Sequence, residues 1–295
     1  MTDGQAPRIT IFTPTYNRAY ILPRLYESLV AQTCRDFEWI VVDDCSTDDT
    51  EALLNSWAAE SRINMRYFRM AQNHGKHAAI NRGVTEARAP WFFIVDSDDH
   101  LLENAVEWAV ACTDRAASDP EIGGISGTRI HLDGTRIGSP KSFDDIECLP
   151  TELTLKYGIT GDMAEIWRTD VLRSLPFPVY KGEKFCPEAL IWFRIADRGL
   201  RVRYYCHPTY VCEYLGDGLT ASIVRQRARS PKASALFYSE MAHRPIVSTA
   251  QHIKAAINFW RFARGPLSSR LRQIGGAALP LLPLGLLMRL RDRLR

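Results

Sequence analysis

The sequence predicts an α/β fold in which a mostly parallel sheet is flanked by helices and followed by a basic helical extension. Three observations carry this. Short apolar runs alternate with helical patterns from residue 8 to about 99, the arrangement of βαβ units. Two of those runs end in acid clusters, and in parallel sheets the crevice outside the carboxyl ends of the strands is where ligands gather. The charge balance also reverses: residues 1–224 carry 23 Lys or Arg against 32 Asp or Glu, whereas 225–295 carry 14 against 2. An acidic body over 1–224 and a basic, apolar helical tail over 225–295 are therefore expected, with the tail facing something anionic.

Arg8-Ile9-Thr10-Ile11-Phe12-Thr13 reads as the first strand. Pro23 suits the first turn of a helix, and Leu25, Leu29 and Val30 give that segment an apolar face. The second strand covers 37–42. Asp48, with Glu51 three residues on, resembles a capping box and predicts a helix through Leu53, Leu54 and Trp57; Met65-Arg66-Tyr67-Phe68 follows as a third strand. Residues 91–95 are apolar throughout, which places a fourth strand centrally. Beyond Asp99 the pattern becomes α+β, with a helix over 103–115, a strand over 124–130 and a turn at Asp133-Gly134. A further helix is expected from Pro187 to Gly199, with Leu190, Ile191, Phe193 and Ile195 as its apolar residues.

Residues 1–7 are polar and lack the basic-then-apolar layout of a secretory signal, which predicts a cytoplasmic location. Seven cysteines, an odd number without a C-x-x-C pair, predict reduced thiols rather than a disulfide framework or zinc knuckle.

The acid clusters are Val41-Val42-Asp43-Asp44 and Ile94-Val95-Asp96-Ser97-Asp98-Asp99. Three carboxylates within four residues raise one another's pKa unless a cation or hydrogen-bond donors neutralise them. Oxygen-only ligands suit Mn²⁺ or Mg²⁺, which keep waters and bridge to substrate phosphates. Asn73-His74-Gly75-Lys76, a glycine-containing loop opening a helix, offers an anion backbone N–H groups, a positive dipole end and the Lys76 charge.

Taken in order, these motifs resemble the inverting nucleotide-sugar glycosyltransferases of family 2, which have the GT-A fold, over residues 9 to about 220. Thr13-Pro14-Thr15-Tyr16-Asn17-Arg18 is similar to the family's first-strand motif, implying that these residues lie along the nucleotide. The run from Val41 to Asp48 resembles the second motif, usually written with Gly where Cys45 stands, and implies that Asp43 or Asp44 contacts the base. Asp96-Ser97-Asp98-Asp99 resembles the D-x-D motif, implying Asp96 near the ribose, Ser97 at the nucleotide and Asp98 on the metal. Lys76 and Asn81 fall where the family reaches the nucleotide from the loop and helix before that strand.

The resemblance implies a metal-dependent transfer from a nucleotide-sugar, UDP-linked, to a hydroxyl of a saccharide or lipid-linked acceptor in cell-surface polysaccharide or glycolipid synthesis. Such a displacement needs a base. The run from Gly182 to Glu188 resembles the family's base region, without the adjacent Glu-Asp pair commonly seen there. Glu188 is the first choice, although a helix dipole alone would favour a Glu at that point; Asp162, beside Gly161, is the runner-up for base or acceptor contact. Asp217-Gly218-Leu219-Thr220 resembles a loop that closes over the diphosphate. Trp167, Trp192 and Tyr214 are candidates for stacking on a sugar or for core packing.

In the tail, the uncharged run 273–288 is too short and proline-broken to span a bilayer, which takes about 20 apolar residues. It is expected to lie peripherally at the inner face of a membrane, leucines inserted and arginines on lipid phosphates; packing on the body or in a homo-oligomer is the alternative. Nucleic acid is not an expected partner, because no base-reading motif accompanies the charge. Among competing functions, a nucleotidyltransferase would carry a glycine-rich first loop, absent from residues 13–18, and a non-catalytic sugar-nucleotide binder would not need Glu188.

Overall fold

The structure, a computed structural model, describes residues 6–139, 142–213, 222–245 and 248–294. It divides into two compact units: Met1–Pro176 with Ile191–Leu215, and Phe177–Leu190 with Gly216–Arg295. The strands are β1 (Ile9–Thr15), β2 (Phe37–Asp43), β3 (Met65–Arg69), β4 (Trp91–Ile94), β5 (His100–Leu101), β6 (Ile122–Ile130), β7 (Ile146–Cys148), β8 (Met163–Arg168) and β9 (Arg201–Val211). The helices up to residue 197 are α1 (Leu22–Val30), α2 (Thr50–Glu60), α3 (Lys76–Glu86), α4 (Ala105–Ala117), α5 (Glu152–Tyr157), α6 (Thr169–Arg173) and α7 (Ala189–Asp197). Later come α8 (Ile223–Arg229), α9 (Pro231–His243), α10 (Thr249–Phe262), α11 (Leu267–Ile274), a 3₁₀ turn over Gly276–Leu281 and α12 (Leu282–Leu294).

The sheet order is β3-β2-β1-β4-β8-β6-β9-β5, with β7 also on β9. The first four strands in that order are parallel. β8 runs antiparallel to β4 and β6, whereas β6 and β9 are parallel.

Alternation along the parallel strands makes two apolar faces. Ile9 and Ile11 of β1, Trp39 and Val41 of β2, and Phe93 of β4 join one buried cluster with Leu22, Leu25, Tyr26 and Leu29 of α1, Leu54 and Trp57 of α2, and α4. Within it, the Tyr26 and Trp57 rings stack at 4.2 Å. On the other face Phe12 stacks on Phe92 at 5.1 Å. There α3 approaches so closely that a Cβ at Gly83 would sit 2.2 Å from the Phe12 ring, which accounts for a glycine inside a helix.

Several boundaries differ from expectation. The helix expected over 103–115 is α4, two residues later at each end, and the strand expected over 124–130 starts earlier, at Ile122. The capping box does not form: α2 starts at Thr50 behind Asp49, and Glu51 pairs with Arg69 instead (3.1 Å). Asp48 accepts from Ala19 N (3.1 Å), the Thr50 hydroxyl (2.6 Å) and Thr50 N (3.1 Å), and these donors hold its carboxyl below the usual range despite some desolvation. The helix expected from Pro187 begins at Ala189, and Gly199 lies two residues past its end with φ +74°. None of the seven cysteines forms a disulfide. Trp167 and Trp192 stack on each other at 4.6 Å, so their packing role prevails; Tyr214 and the run 217–220 lie outside the described residues.

Candidate nucleotide and metal site

Because β2, β1 and β4 are adjacent and parallel, both acid clusters emerge at one edge of the sheet. Thr15 pairs with Asp43, and Val95 N donates to Phe12 O (2.8 Å) as the chain leaves β4. β8 enters the sheet antiparallel to β4, so exposed Asp162, one residue before it, lies at this same edge.

Asp43 is fully buried and closes the turn after β2. Its Oδ1 accepts from Ser46 N (2.8 Å) and from the Ser46 hydroxyl, while Oδ2 accepts from the Tyr67 hydroxyl (3.3 Å). Arg69 Nε lies 3.6 Å from Oδ2. Burial, reinforced by the Asp43 charge, pushes the Tyr67 phenol above its ordinary value.

Asp44, 4% exposed, reaches across to the loop before α3: Oδ1 accepts from His74 N (2.8 Å) and Oδ2 from Gly75 N (2.6 Å). The loop expected to present N–H groups to a bound anion thus gives two of them to a carboxylate of the chain itself. Gly75, at φ +91°, supplies the backbone conformation that aims them. Lys76, next in the chain, places Nζ 2.6 Å from Asp96 Oδ1.

Asp96 N donates to the Tyr210 hydroxyl (2.8 Å), and the Arg129 guanidinium lies 4.2 Å from the Tyr210 ring centroid. Burial opposes ionisation of Asp96, but Lys76 and then Arg129 outweigh it and hold the carboxyl below its ordinary value. Its neighbours behave oppositely. Burial and the Asp96 charge push Asp98 up, with Arg18 and Lys76 opposing, and burial with Asp96 and Asp98 pushes Asp99 up to about 7. Asp99 Oδ1 accepts from Glu213 N (3.1 Å). Arg24 pairs with the Glu213 carboxylate and donates to the Asp98 carbonyl (3.2 Å).

The first-strand motif divides into buried and accessible halves. The Thr13 hydroxyl accepts from the Trp39 indole (3.0 Å), and Pro14 and Thr15 are buried, so these three are integral to the sheet. Tyr16 is 44% exposed. Asn17, at φ +53°, accepts from Thr47 N (2.8 Å) and donates its own N–H to Ser46 Oγ (2.8 Å), tying the two motif loops together. Arg18 N donates to Thr50 Oγ1 (3.2 Å). Ser97 is buried, and Asn81 lies half-buried on α3.

Glu188 belongs to the second unit, half-buried and one residue ahead of α7. Glu183 of the same unit is structural, because its carboxylate accepts from Lys232 N (2.9 Å) and Ala233 N (3.0 Å) and so caps α9.

Among the described residues no three His, Cys, Asp or Glu side chains converge as a self-contained metal cage. The donor chemistry nevertheless fits a divalent cation shared with a ligand. Asp98 is an oxygen donor whose ionisation its acidic neighbours resist, and an ion that takes one or two carboxylates with substrate phosphates and water needs no more protein ligands.

Four contributors have no motif of their own: Arg24, Arg129, Tyr210 and Glu213. They come from α1, β6, β9 and the residues after β9, and topology alone brings them to the acids. The signal available for Arg129 was the single charge inside the otherwise uncharged stretch that forms β6.

A sheet with acids gathered at the carboxyl edge of its parallel half, continued by a mixed half, is the GT-A architecture. Residues 10–134 match the family described as Glycosyl transferase family 2. A PGL/p-HBAD biosynthesis glycosyltransferase of Mycobacterium bovis is 38% identical over 98 residues, covering 33% of this chain and 38% of the relative. The succinoglycan biosynthesis protein ExoO of Rhizobium meliloti is 32% identical over 130 residues, covering 44% and 36%. The chain thus spans little more than a third of these relatives' lengths. A fragment of Staphylococcus aureus TarS, TarS 1-349, solved with UDP-GlcNAc, superimposes with a TM-score of 0.66 at 21% identity over 94% of this chain and 79% of the fragment. A mannosyltransferase from Pyrobaculum calidifontis, solved with GDP-Man and Mn²⁺, gives 0.57 at 20% identity over 98% and 88%. These two likenesses establish the fold.

Proposed function

We propose that the chain is a metal-dependent, inverting glycosyltransferase that moves a sugar from a UDP-sugar to a hydroxyl of a saccharide or lipid-linked acceptor. The observation carrying this reading is the convergence, at one sheet edge, of Asp44, the His74–Lys76 loop it grips, and the Asp96–Asp99 cluster. The structural neighbours solved with UDP-GlcNAc, or with GDP-Man and Mn²⁺, support a nucleotide-sugar and a divalent ion. The relatives' names support polysaccharide or glycolipid synthesis as the setting.

On this reading Tyr16, Asn17 and Arg18 line the nucleotide, backed by Thr13, Pro14 and Thr15, while Asp43 and Asp44 fix the turn and loop that meet the base. Asp96 and Ser97 face the ribose, and Lys76 and Asn81 approach from α3. Asp98 would hold Mn²⁺ or Mg²⁺, which when bound supplies the positive charge for a departing diphosphate. Glu188 takes the proton from the acceptor hydroxyl, and Asp162 contacts the acceptor at the exposed edge. A single in-line attack then inverts the anomeric configuration.

The test is thermal stabilisation of the full chain by UDP, GDP and other nucleoside diphosphates, with and without Mn²⁺. A UDP shift that needs Mn²⁺ and vanishes in Asp98→Asn is expected. Absence of any nucleoside diphosphate shift would overturn the reading. Given turnover, Glu188→Gln is expected to abolish transfer while keeping the UDP shift, and the product's anomeric NMR coupling is expected to be that of a β-linkage from an α-linked donor.

A further inference from the structure

The last helix is inverted relative to a helix on a soluble surface. Its inner side carries the polar groups. Asp292 makes a bidentate pair with Arg261 of α10 (2.6 Å to each oxygen), and Arg289 donates to the α10 end at Arg261 O (2.7 Å) and Ala263 O (2.7 Å). Gly285 lets the two helices touch, since a Cβ there would lie 2.4 Å from the Trp260 Cβ. At about 100° per residue, Pro283, Leu287, Leu290 and Leu294 fall in one stripe opposite Asp292, with Arg291 and Arg293 on its two flanks. That outer stripe is bare: Leu287 is 63% exposed, Leu290 55% and Leu294 81%, with Leu284 and Leu286 beside it. A contiguous exposed apolar face rimmed by charge marks an interaction surface.

The charge around the stripe has one sign. Asp292 is the sole acid between residues 248 and 294, and Arg261 occupies it. Desolvation, with Arg264, Arg270 and Arg293 crowding round, pushes Arg289 down to about 10, so this end of the unit is short of anions. A second copy would bring the same arginines and add repulsion. Among the described residues no single helix is long and apolar enough to cross a membrane, and α11 meets the segment from Gly276 to Leu294 at a bend of 115°. An α12 of 13 residues, about 20 Å long, suits lying in the interface rather than crossing it.

We propose that the outer face of α12 docks this unit on an anionic phospholipid bilayer, with Leu287, Leu290 and Leu294 in the acyl boundary and Arg291 and Arg293 at lipid phosphates. The cytoplasmic leaflet, where anionic lipid concentrates, is the surface this chemistry selects. The inference is independent of the catalytic reading above.

The test is co-sedimentation of the full chain with vesicles of phosphatidylcholine alone or mixed with phosphatidylglycerol. Binding at least about tenfold stronger to the mixed vesicles, weakening with salt, is expected. The double variant Leu287→Glu/Leu290→Glu should lose at least about tenfold of that binding at an unchanged thermal midpoint. Arg291→Gln/Arg293→Gln should lose the preference for phosphatidylglycerol. Equal vesicle binding by wild type and the leucine variant would overturn the proposal. So would a wild-type dimer in lipid-free solution that the leucine variant converts to monomer, since that assigns the stripe to a second copy.

Discussion

Lys76 Nζ sits 2.6 Å from Asp96 Oδ1, and both side chains are only about a quarter exposed. This contact joins the loop before α3 to the acid cluster after β4, and it neutralises one of three neighbouring carboxylates before any ligand arrives. Lys76→Met removes the cation and leaves the acids facing one another. A loss of about 1–3 kcal/mol in urea unfolding at pH 7 is expected. Asp96 is held low in the folded state, so its contribution is present above the unfolded value and fades as pH falls through the folded one. The gap between wild type and variant should therefore close below about pH 4. A gap that persists there would show that the lysine acts through packing.

Asp44 is the other anchor of the same loop. Asp44→Ala strips His74 N and Gly75 N of their acceptors at once, and two unpaired, largely buried donors cost about 3 kcal/mol together. Asp44→Asn keeps one acceptor oxygen and should recover about half of that. If the two variants unfold at the same urea midpoint, the carboxylate is not what holds the loop.

The parallel half of this sheet was legible because its strands are short, apolar and regularly spaced, and strand ends are where β2 and β4 release their acids. Elements with strong periodicity survived; local polar rules fared worse. Asp48 and Glu51 satisfy the capping-box spacing, yet Asp48 divides its carboxylate between Thr50 and Ala19 N, 29 residues away, and Glu51 finds Arg69, because a long-range cation at a crowded strand edge takes the residue that would have closed the box. The same logic took the His74 and Gly75 N–H groups: the anion they meet is Asp44, 30 residues away in sequence, which no loop motif could announce. Arg129 and Tyr210 reach the cluster only through the β6–β9 pairing, a contact with no local signature.

His77 gives the fold a pH dependence. It is 2% exposed on α3, its Nδ1 has no hydrogen-bond partner among the described residues, and burial, with His74 adding repulsion, lowers its pKa to about 4. The unfolded chain, with a histidine near 6.5, binds the extra proton first, so stability is complete above about pH 6.5 and falls as pH drops towards 4. The full loss is about 3 kcal/mol, reached below pH 4. Urea midpoints of wild type and His77→Phe between pH 4 and 7 read this directly. A variant with the same slope as wild type would place the dependence elsewhere.

Cys45 stands where the family motif usually carries glycine, and its backbone lies at φ +67°, in the left-handed region that favours glycine. The turn is imposed from both sides: Asp43 gathers Ser46 N behind it, and Asp44 must turn towards His74 and Gly75. A side chain there meets its own backbone, a strain of about 1–2 kcal/mol for an ordinary L-residue. Glycine removes that strain but loses more freedom on folding, by about 0.5–1 kcal/mol. Cys45→Gly is therefore expected to raise stability slightly or leave it unchanged, giving up only the long Sγ contact to Ala71 O at 3.7 Å. Cys45→Val, branched at Cβ, should lose a further 1 kcal/mol or about that, because left-handed backbone is least tolerant of branched side chains. Thermal midpoints ranked Gly, Cys, Val from highest to lowest are the expected result; a valine variant as stable as wild type would mean that the turn relaxes to negative φ when the side chain demands it.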